Sequence, residues 1–121
     1  MFLNTILREN ATIIERAPLV MAACSTMPLS KRLKRLGGFY EERSLIWEIQ
    51  SVACCIENMM LSSASMGIGS AFIGCALLCG REIKGLLNTE YELMSVLTFG
   101  YPKNKEGLTR KAPIKKITEY R

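Results

Sequence analysis

The chain has 121 residues, 49% of them hydrophobic and 22% charged, which suits one domain with an ordinary core. All eleven acidic residues are Glu and there is no His, so a single chain holds neither a Ser–His–Asp triad nor a histidine-based zinc or acid–base site. The formal charge of +5 comes from residues 101–121, which carry seven basic and two acidic residues, while the residues before them carry nine of each. Residues 101–121 are therefore predicted to be a basic C-terminal tail.

The beginning of the chain predicts a helix and then a buried strand. Apolar residues recur at helical spacing over residues 2–16, and Pro18 ends this pattern because the residue before a proline is disfavoured in a helix. Residues 19–24 form a short continuous apolar run, which is typical of a strand buried on both faces. We therefore expect a helix–strand unit at this end of the chain.

Residues 25–40 are predicted to be irregular, because they contain Pro28 and the adjacent glycines Gly37 and Gly38. Within them, residues 31–35 read KRLKR. We interpret this basic cluster as a solvated loop rather than a nucleic-acid patch, since only one aromatic pair follows it and the pattern is not repeated. No nucleic-acid partner is expected. A weaker alternative is a salt-sensitive attraction of the basic tail to nucleic acid or to an acidic membrane.

A long helix over residues 43–66 is the element around which we expect the fold to be organised. Most of its positions are aliphatic, Met or Cys, so we expect it to be buried around much of its circumference. Polar and small residues recur at steps of three and four and form one narrow stripe: Glu48, Ser51, Cys55, Asn58, Ser62 and Ser65. Small side chains let another backbone approach closely. We therefore expect a homodimer through the face that carries Ser51, Cys55, Asn58 and Ser62, because so apolar a helix would otherwise expose a large patch.

Gly67 predicts where this helix ends, because glycine suits the left-handed position that follows a helix, with Ile68 placed for the accompanying apolar contact. The pattern then predicts a buried strand over residues 70–78, a short helix over residues 81–87 and a third strand over residues 93–99. Three strands with two or three helices indicate an α+β fold in a single domain that spans the chain.

Residues 59–80 carry no charge over 22 positions, which is long enough to span a bilayer as a helix. The run contains four serines and four glycines, and the stop at Gly67 divides it into pieces too short to cross. We therefore favour a buried helix followed by a strand, and we expect no membrane partner.

The five cysteines, at positions 24, 54, 55, 75 and 79, lie mostly within apolar runs and are predicted to be buried, reduced and chemically inert. Because their number is odd and no secretory signal is recognised before them, we expect a cytoplasmic protein. A four-thiolate metal site is disfavoured, since Cys54 and Cys55 are adjacent on a helix and point in different directions.

Several segments resemble, in order, the motifs of the flavin-dependent nitroreductase family. They are the Ala-Pro pair before the first strand, ENMMLSSASMGIGS at the end of the long helix, AFIG, VLTFGYPKN and RKAPI. The family's usual runs at these places are A-P-strand, (Q/E)-N-x-x-L-x-A-x-x-x-G-(L/I)-G-S, (W/F)-I-G-G, (L/I)-G-Y-P and R-K-P-L. The resemblance covers residues 15–118.

This resemblance implies an α+β, nitroreductase-like fold, in which a central buried helix packs on a small mixed or antiparallel sheet. It also implies an intertwined homodimer with flavin at the subunit boundary. In this family FMN accepts a hydride from NAD(P)H and passes electrons to nitro compounds, quinones or similar small acceptors in ping-pong fashion. The protein supplies position, electrostatics and exclusion of water, so no catalytic side chain is required.

The same resemblance implies which residues meet the cofactor. Those along the isoalloxazine ring would be Phe72, Ile73, Gly74 and Cys75, and those at the FMN phosphate would be Arg110 and Lys111. Considered without the resemblance, Gly74 only marks a close backbone approach within a strand, and Arg110 and Lys111 belong to an exposed basic tail.

The chain departs from the family's pattern in three places. The family's Arg-rich segment, R-S-x-R-x-(F/Y), whose basic side chains hold the FMN phosphate, has no counterpart here. Cys75 stands where a second Gly is common, and Ala112 stands where Lys is common. The chain therefore resembles the C-terminal portion of a nitroreductase, truncated on its N-terminal side. The alternative hypothesis is a flavin-free dimer that acts only as a binding protein.

Overall fold

The computed structural model describes residues 2–103, with side chains from residue 4 onward. In this part of the chain the helices are α1 (Phe2–Arg16), α2 (Pro28–Leu33), α3 (Gly38–Ser65) and α4 (Gly80–Leu87). The strands are β1 (Leu19–Ser25), β2 (Gly69–Ile73) and β3 (Glu92–Gly100). Two 3-10 turns, Lys34–Leu36 and Gly74–Cys79, follow α2 and β2. The predicted α+β fold is confirmed.

The strands form one small sheet in the order β1–β3–β2, and both pairings are antiparallel. The last strand in sequence is therefore the middle strand of the sheet among the described residues. Phe99 of β3 lies opposite Leu19 of β1 on one side and Ser70 of β2 on the other. All residues from Leu93 to Phe99 except Met94 are buried, as expected for a strand with a neighbour on each side and a layer on each face.

The core lies on both faces of β3. Val96 and Leu97 are adjacent in the strand, so their side chains point to opposite faces of the sheet. On one face, Leu97 and Phe99 pack with Ile56 of α3. The cluster on the other face comprises Ile73, Ala76, Leu93 and Val96, with Ile14 of α1 and Ile83 of α4 at its margin. Helix α3 thus covers one face of the sheet, and α1, α4 and the second 3-10 turn lie on the other.

The predicted end of α3 is confirmed. Gly67 has φ +76°, and its N–H donates to the carbonyl of Ala64 at 3.0 Å. The N–H of Ile68 donates to the carbonyl of Ser63 at 2.9 Å. This pair of bonds is the Schellman cap, which satisfies carbonyls that have no partner within the helix. Because β2 begins two residues after Gly67, the cap also directs the chain onto the sheet.

The prediction of irregular structure over residues 25–40 is wrong. Pro28 opens α2 as its first residue, where a missing N–H costs nothing. Gly37 has φ +110°, and its carbonyl accepts hydrogen bonds from the N–H groups of Tyr40 and Glu41. The glycine pair therefore marks the start of α3, five residues before the predicted start, rather than a loop.

The predicted strand over residues 70–78 is too long. β2 ends at Ile73, and the apolar run continues as the 3-10 turn Gly74–Cys79. A short apolar run does not by itself distinguish a strand from a buried helical turn, which is the reason for the error.

The prediction that α3 is buried around much of its circumference is also wrong for the single chain. Its buried residues are Ser44, Glu48, Ile56 and Ser63, while Leu45, Ile46, Trp47, Ile49 and Leu61 are exposed. A helix of 28 residues is about 42 Å long. The nine residues of β3 reach only about 30 Å. The small sheet therefore covers one side of α3 and leaves the other sides to solvent or to a partner.

Candidate functional site

The four residues implied to lie along the isoalloxazine ring are at the end of β2 and in the turn after it. β2 pairs only with β3 within the described residues, so its other edge presents backbone N–H and C=O groups without a strand partner. Phe72 is exposed and Ile73 is buried in the core, while Gly74 and Cys75 are half-buried. The side chain of Ile73 points into the protein, so only its backbone is available to a ligand.

The side chain of Phe72 lies over Gly74. A Cβ built on Gly74 would come within 3.2 Å of Cε1 of the Phe72 ring, which is tighter than ordinary contact. The small glycine therefore leaves room for one flat aromatic group against the backbone at this point. This geometry brings together Phe72, Gly74 and the edge of β2 that has no strand partner among the described residues.

The thiol of Cys75 connects this turn to α1. The side-chain amide of Asn10 donates to Sγ of Cys75 at 3.0 Å and to the carbonyl of Ile6 at 3.0 Å. The turn after β2 is thereby held against α1. Sequence reasoning did not identify Asn10, because a contact over 65 positions leaves no local signal.

Arg110 and Lys111, the residues implied to meet the phosphate, lie outside the described residues, and their role stays a prediction. Two other cations line an open groove of about 760 Å³ at the opposite end of β2 from Gly74. They are Arg16, in the last turn of α1, and Lys103. Sequence reasoning gave no site at this groove.

The groove between α3 and β1 is lined by Cys55, Asn58 and Ser62, which are all residues of the predicted dimer face except Ser51. Its volume is about 460 Å³, and its lining includes Cys55, Asn58 and Ser62 of α3 together with Leu19 and Met21 of β1. Leu19 and Met21 are themselves exposed, and the outer edge of β1 is unpaired within the described residues. The stripe is thus the floor of an open, mainly apolar groove in the single chain.

Glu48 was assigned to the same stripe, but the structure gives it a different role. Its Oε1 accepts hydrogen bonds from the N–H groups of Leu29, at 2.6 Å, and Ser30, at 3.4 Å. These are orphan donors in the first turn of α2, whose N-cap residue, Met27, supplies no side-chain cap. Glu48 is buried, and its Oε2 has no hydrogen-bond partner among the described residues. A carboxylate from α3 therefore caps α2, a tertiary contact that no local pattern predicts.

The prediction of buried cysteines is wrong for three of the five. Cys54, Cys55 and Cys79 are exposed, and Cys24 and Cys75 are half-buried; all five are free thiols. The apolar runs that contain Cys54 and Cys55 belong to the uncovered sides of α3. Over residues 2–103, no three Cys or Glu side chains come together as a metal site requires. None of the helices in that range is long and apolar enough to cross a membrane.

One family profile matches the chain, and several solved structures share its fold. The sequence matches the profile described as "Nitroreductase family" over residues 5–101. Among solved structures, the chain is similar to a nitroreductase family protein from Streptococcus pneumoniae, with 18% identity and a TM-score of 0.69. It is also similar to a putative oxidoreductase from Bacteroides fragilis, with 17% identity and a TM-score of 0.72. A third similar structure is that of the nitroreductase CinD from Lactococcus lactis in complex with nicotinic acid, with 11% identity and a TM-score of 0.63.

The lengths of these proteins differ from that of the chain. The similarity to the Streptococcus protein covers 88% of this chain and 66% of that protein. The similarity to the Bacteroides protein covers 98% of this chain and 52% of that protein. The similarity to CinD covers 98% of this chain and 88% of CinD. The chain thus spans between half and two thirds of the first two structures. No curated protein sequence matches it significantly.

Proposed function

Because this chain belongs to the nitroreductase family, we propose that it is an FMN-dependent oxidoreductase that takes a hydride from NAD(P)H and reduces a small acceptor. The acceptor class is a nitro compound, a quinone or a similar molecule. The observation that carries the proposal is the family match over residues 5–101, which contains α3, β2 and the turn after β2.

The redox chemistry would be that of bound FMN, which exchanges a hydride with the nicotinamide and electrons with the acceptor. The chain's own contribution is placement. Ile73 anchors the end of β2 in the core, so the backbone at Gly74 is held in a fixed position. Phe72 offers an aromatic face beside that backbone, and the edge of β2 that has no strand partner among the described residues offers N–H donors to ring acceptors.

Other parts of the site are proposals without a described geometry. Arg110 and Lys111 would hold the phosphate, because guanidinium and ammonium groups make charge-assisted hydrogen bonds to phosphate oxygens. We also propose that the chain forms a homodimer through the groove between α3 and β1. The open groove and its exposed apolar lining residues, Leu19, Met21 and Met66, support this, since monomers rarely leave a large apolar patch uncovered.

The decisive experiment is to titrate FMN into the purified chain and to follow the flavin absorption band and the quenching of flavin fluorescence. NAD(P)H consumption is then measured with a nitroaromatic compound and with a quinone as acceptors. Saturable binding with one FMN per chain, followed by acceptor-dependent NAD(P)H oxidation, is the expected result. A folded, colourless protein that takes up no FMN contradicts the enzyme proposal and supports the flavin-free dimer instead.

A further inference from the structure

A basic surface lies on α2, the turn after it and the first turns of α3. Its cations are exposed side chains: Lys31, Arg32, Lys34, Arg35 and Arg43. Residues 31–47 carry only two acidic residues, Glu41 and Glu42, against these five cations. Lys34 lies 3.8 Å from Glu41, so one carboxylate is already engaged with the cluster. The surface is therefore cationic, although residues 1–100 as a whole are neutral.

Large apolar side chains are exposed beside these cations. Leu36 is 62% exposed, Phe39 is 64% exposed and Trp47 is 55% exposed. Phe39, Arg43 and Trp47 follow one another at steps of four on α3 and so share one face of the helix. The guanidinium carbon of Arg43 lies 5.3 Å from the centroid of the Phe39 ring. Charged and aromatic groups thus alternate along this face of α3, and Lys34 is joined to the first turn of the same helix through Glu41.

Two contacts hold the cations beside the aromatic residues. The buried carboxylate of Glu48 caps α2 from α3, and the ion pair between Lys34 and Glu41 joins the following turn to α3. Phe39 also packs edge-to-face with Tyr40, with 5.6 Å between the ring centroids. The arrangement is consequently part of the folded structure and does not depend on an unanchored loop. We call this surface, which comprises the five cations with Leu36, Phe39, Tyr40 and Trp47, the basic–aromatic patch.

We propose that the basic–aromatic patch docks on the surface of a lipid bilayer that contains anionic lipid. Lys and Arg beside a bilayer are attracted to anionic headgroups, and Trp, Tyr, Phe and Leu bury their apolar parts at the boundary with the acyl chains. The patch combines both kinds of group on one face of α3 and the adjoining α2. This contact is peripheral and requires no spanning helix.

The charge of the patch argues against a second copy as its occupant. A two-fold contact places the same surface of two chains against itself, which would bring five cations against five. Single-stranded nucleic acid would satisfy the charge and stack on the aromatic rings. It would leave exposed aliphatic residues such as Leu36 and Ile46 without a partner, whereas lipid covers them. Charge and apolar surface together favour the bilayer.

The test uses the full chain and vesicles, with Trp47 as an internal reporter because it is the only tryptophan. Vesicles of phosphatidylcholine alone are compared with vesicles of equal parts phosphatidylcholine and phosphatidylglycerol. We expect sedimentation with the anionic vesicles only, a shift of Trp47 emission to shorter wavelength, and loss of both at high salt. The double variant Lys31→Gln/Arg32→Gln should bind about thirtyfold more weakly, since each cation near the surface contributes about fivefold.

Matched variants separate the patch from the rest of the chain. Phe39→Ser should weaken binding, whereas Leu86→Ser, at an exposed position on α4, should not. Arg81→Gln/Lys103→Gln removes two exposed cations elsewhere and should leave binding nearly unchanged. If the patch variants bind as tightly as wild type, the basic tail carries the attraction and the proposal is wrong. The proposal is equally wrong if neutral and anionic vesicles bind equally well, or if the chain binds a single-stranded oligonucleotide and sediments with neither kind of vesicle.

Discussion

The ring of Phe72 lies directly over Gly74, so that a Cβ at position 74 would approach Cε1 of the ring to 3.2 Å. The backbone that the family resemblance assigns to the flavin ring is therefore partly covered by a side chain from two residues earlier. Phe72 is 51% exposed, so its ring can turn outward at little cost in packing. Any planar ligand on Gly74 must stack on this ring or displace it.

Gly74→Val is the substitution that tests the placement of the flavin. Valine would occupy the space over the backbone, where the nearest atoms belong to the exposed ring of Phe72, so we expect a change in unfolding free energy of about 1 kcal/mol or less. FMN affinity should fall at least about a hundredfold, because the added side chain fills the volume of the ring. Flavin titration and thermal melts of both proteins measure the two effects.

Gly85→Val is the matched control for that substitution. Gly85 lies in α4, and a Cβ there would meet nothing within 4 Å. This variant should melt somewhat lower, because a β-branched residue is a weaker helix former, and should bind FMN as wild type does. If wild type and Gly74→Val bind FMN with equal affinity, the flavin does not lie on this strand. The assignment of the fold would not be affected.

The cap of α3 gives a prediction about stability alone. Gly67 has φ +76°, a conformation that costs an L-residue about 1 kcal/mol, so Gly67→Ala should destabilise the chain by about that amount. Gly85→Ala should instead stabilise it by up to about 1 kcal/mol, since alanine is the better helix former at an ordinary helical position. Urea denaturation followed by circular dichroism measures both. We expect the two changes in unfolding free energy to have opposite signs. A stabilising Gly67→Ala would contradict the assigned cap.

Local signals explain which parts of the fold the sequence predicted. Gly67 and the pattern around it placed the end of α3 correctly, because the cap depends on residues next to each other in the chain. The start of α2 was missed, because its first N–H groups are capped by Glu48 from eighteen or nineteen positions away. The exposure of α3 was missed for a similar reason. The apolar composition of α3 indicates that its surface should be buried. It does not indicate whether the same chain or a partner buries it.

The candidate site also has features with a local sequence signal and features that only tertiary contacts determine. The motif contains Phe72 and Gly74 two positions apart, and their side-by-side placement follows from that spacing, while their role at a cofactor stays a prediction. The core position of Ile73 and the contact between Asn10 and Cys75 depend on which elements surround β2, and these are set by the whole fold.

Glu48 provides a test of the contact between α2 and α3. Glu48→Gln keeps the side-chain size but removes the charge that strengthens the hydrogen bonds to the α2 N–H groups, and we expect a loss of about 1–2 kcal/mol in unfolding free energy. Glu42→Gln, at an exposed position six residues earlier on α3, should change stability by less than about 0.5 kcal/mol. Denaturant titration of wild type, Glu48→Gln and Glu42→Gln measures the unfolding free energy of each. Equal stability of the two variants would show that the cap contributes nothing.

Adjacent cysteines on α3 report on the proposed dimer. Cys55 lines the groove between α3 and β1, whereas Cys54 does not, although both are exposed in the single chain. If a second copy covers the groove, a small alkylating reagent should label Cys54 rapidly and Cys55 at least about tenfold more slowly.

Ser62→Arg puts a long charged side chain into the groove, so it should yield a monomer in sedimentation and expose Cys55 to labelling. Ala53→Arg is the matched control, since Ala53 lies on the same helix, is exposed and is outside both the stripe and the groove lining. Mass spectrometry of native protein gives the labelling rate at each thiol. Equal rates at Cys54 and Cys55 in wild type, together with a monomer in sedimentation, would show that the groove is not the contact between subunits.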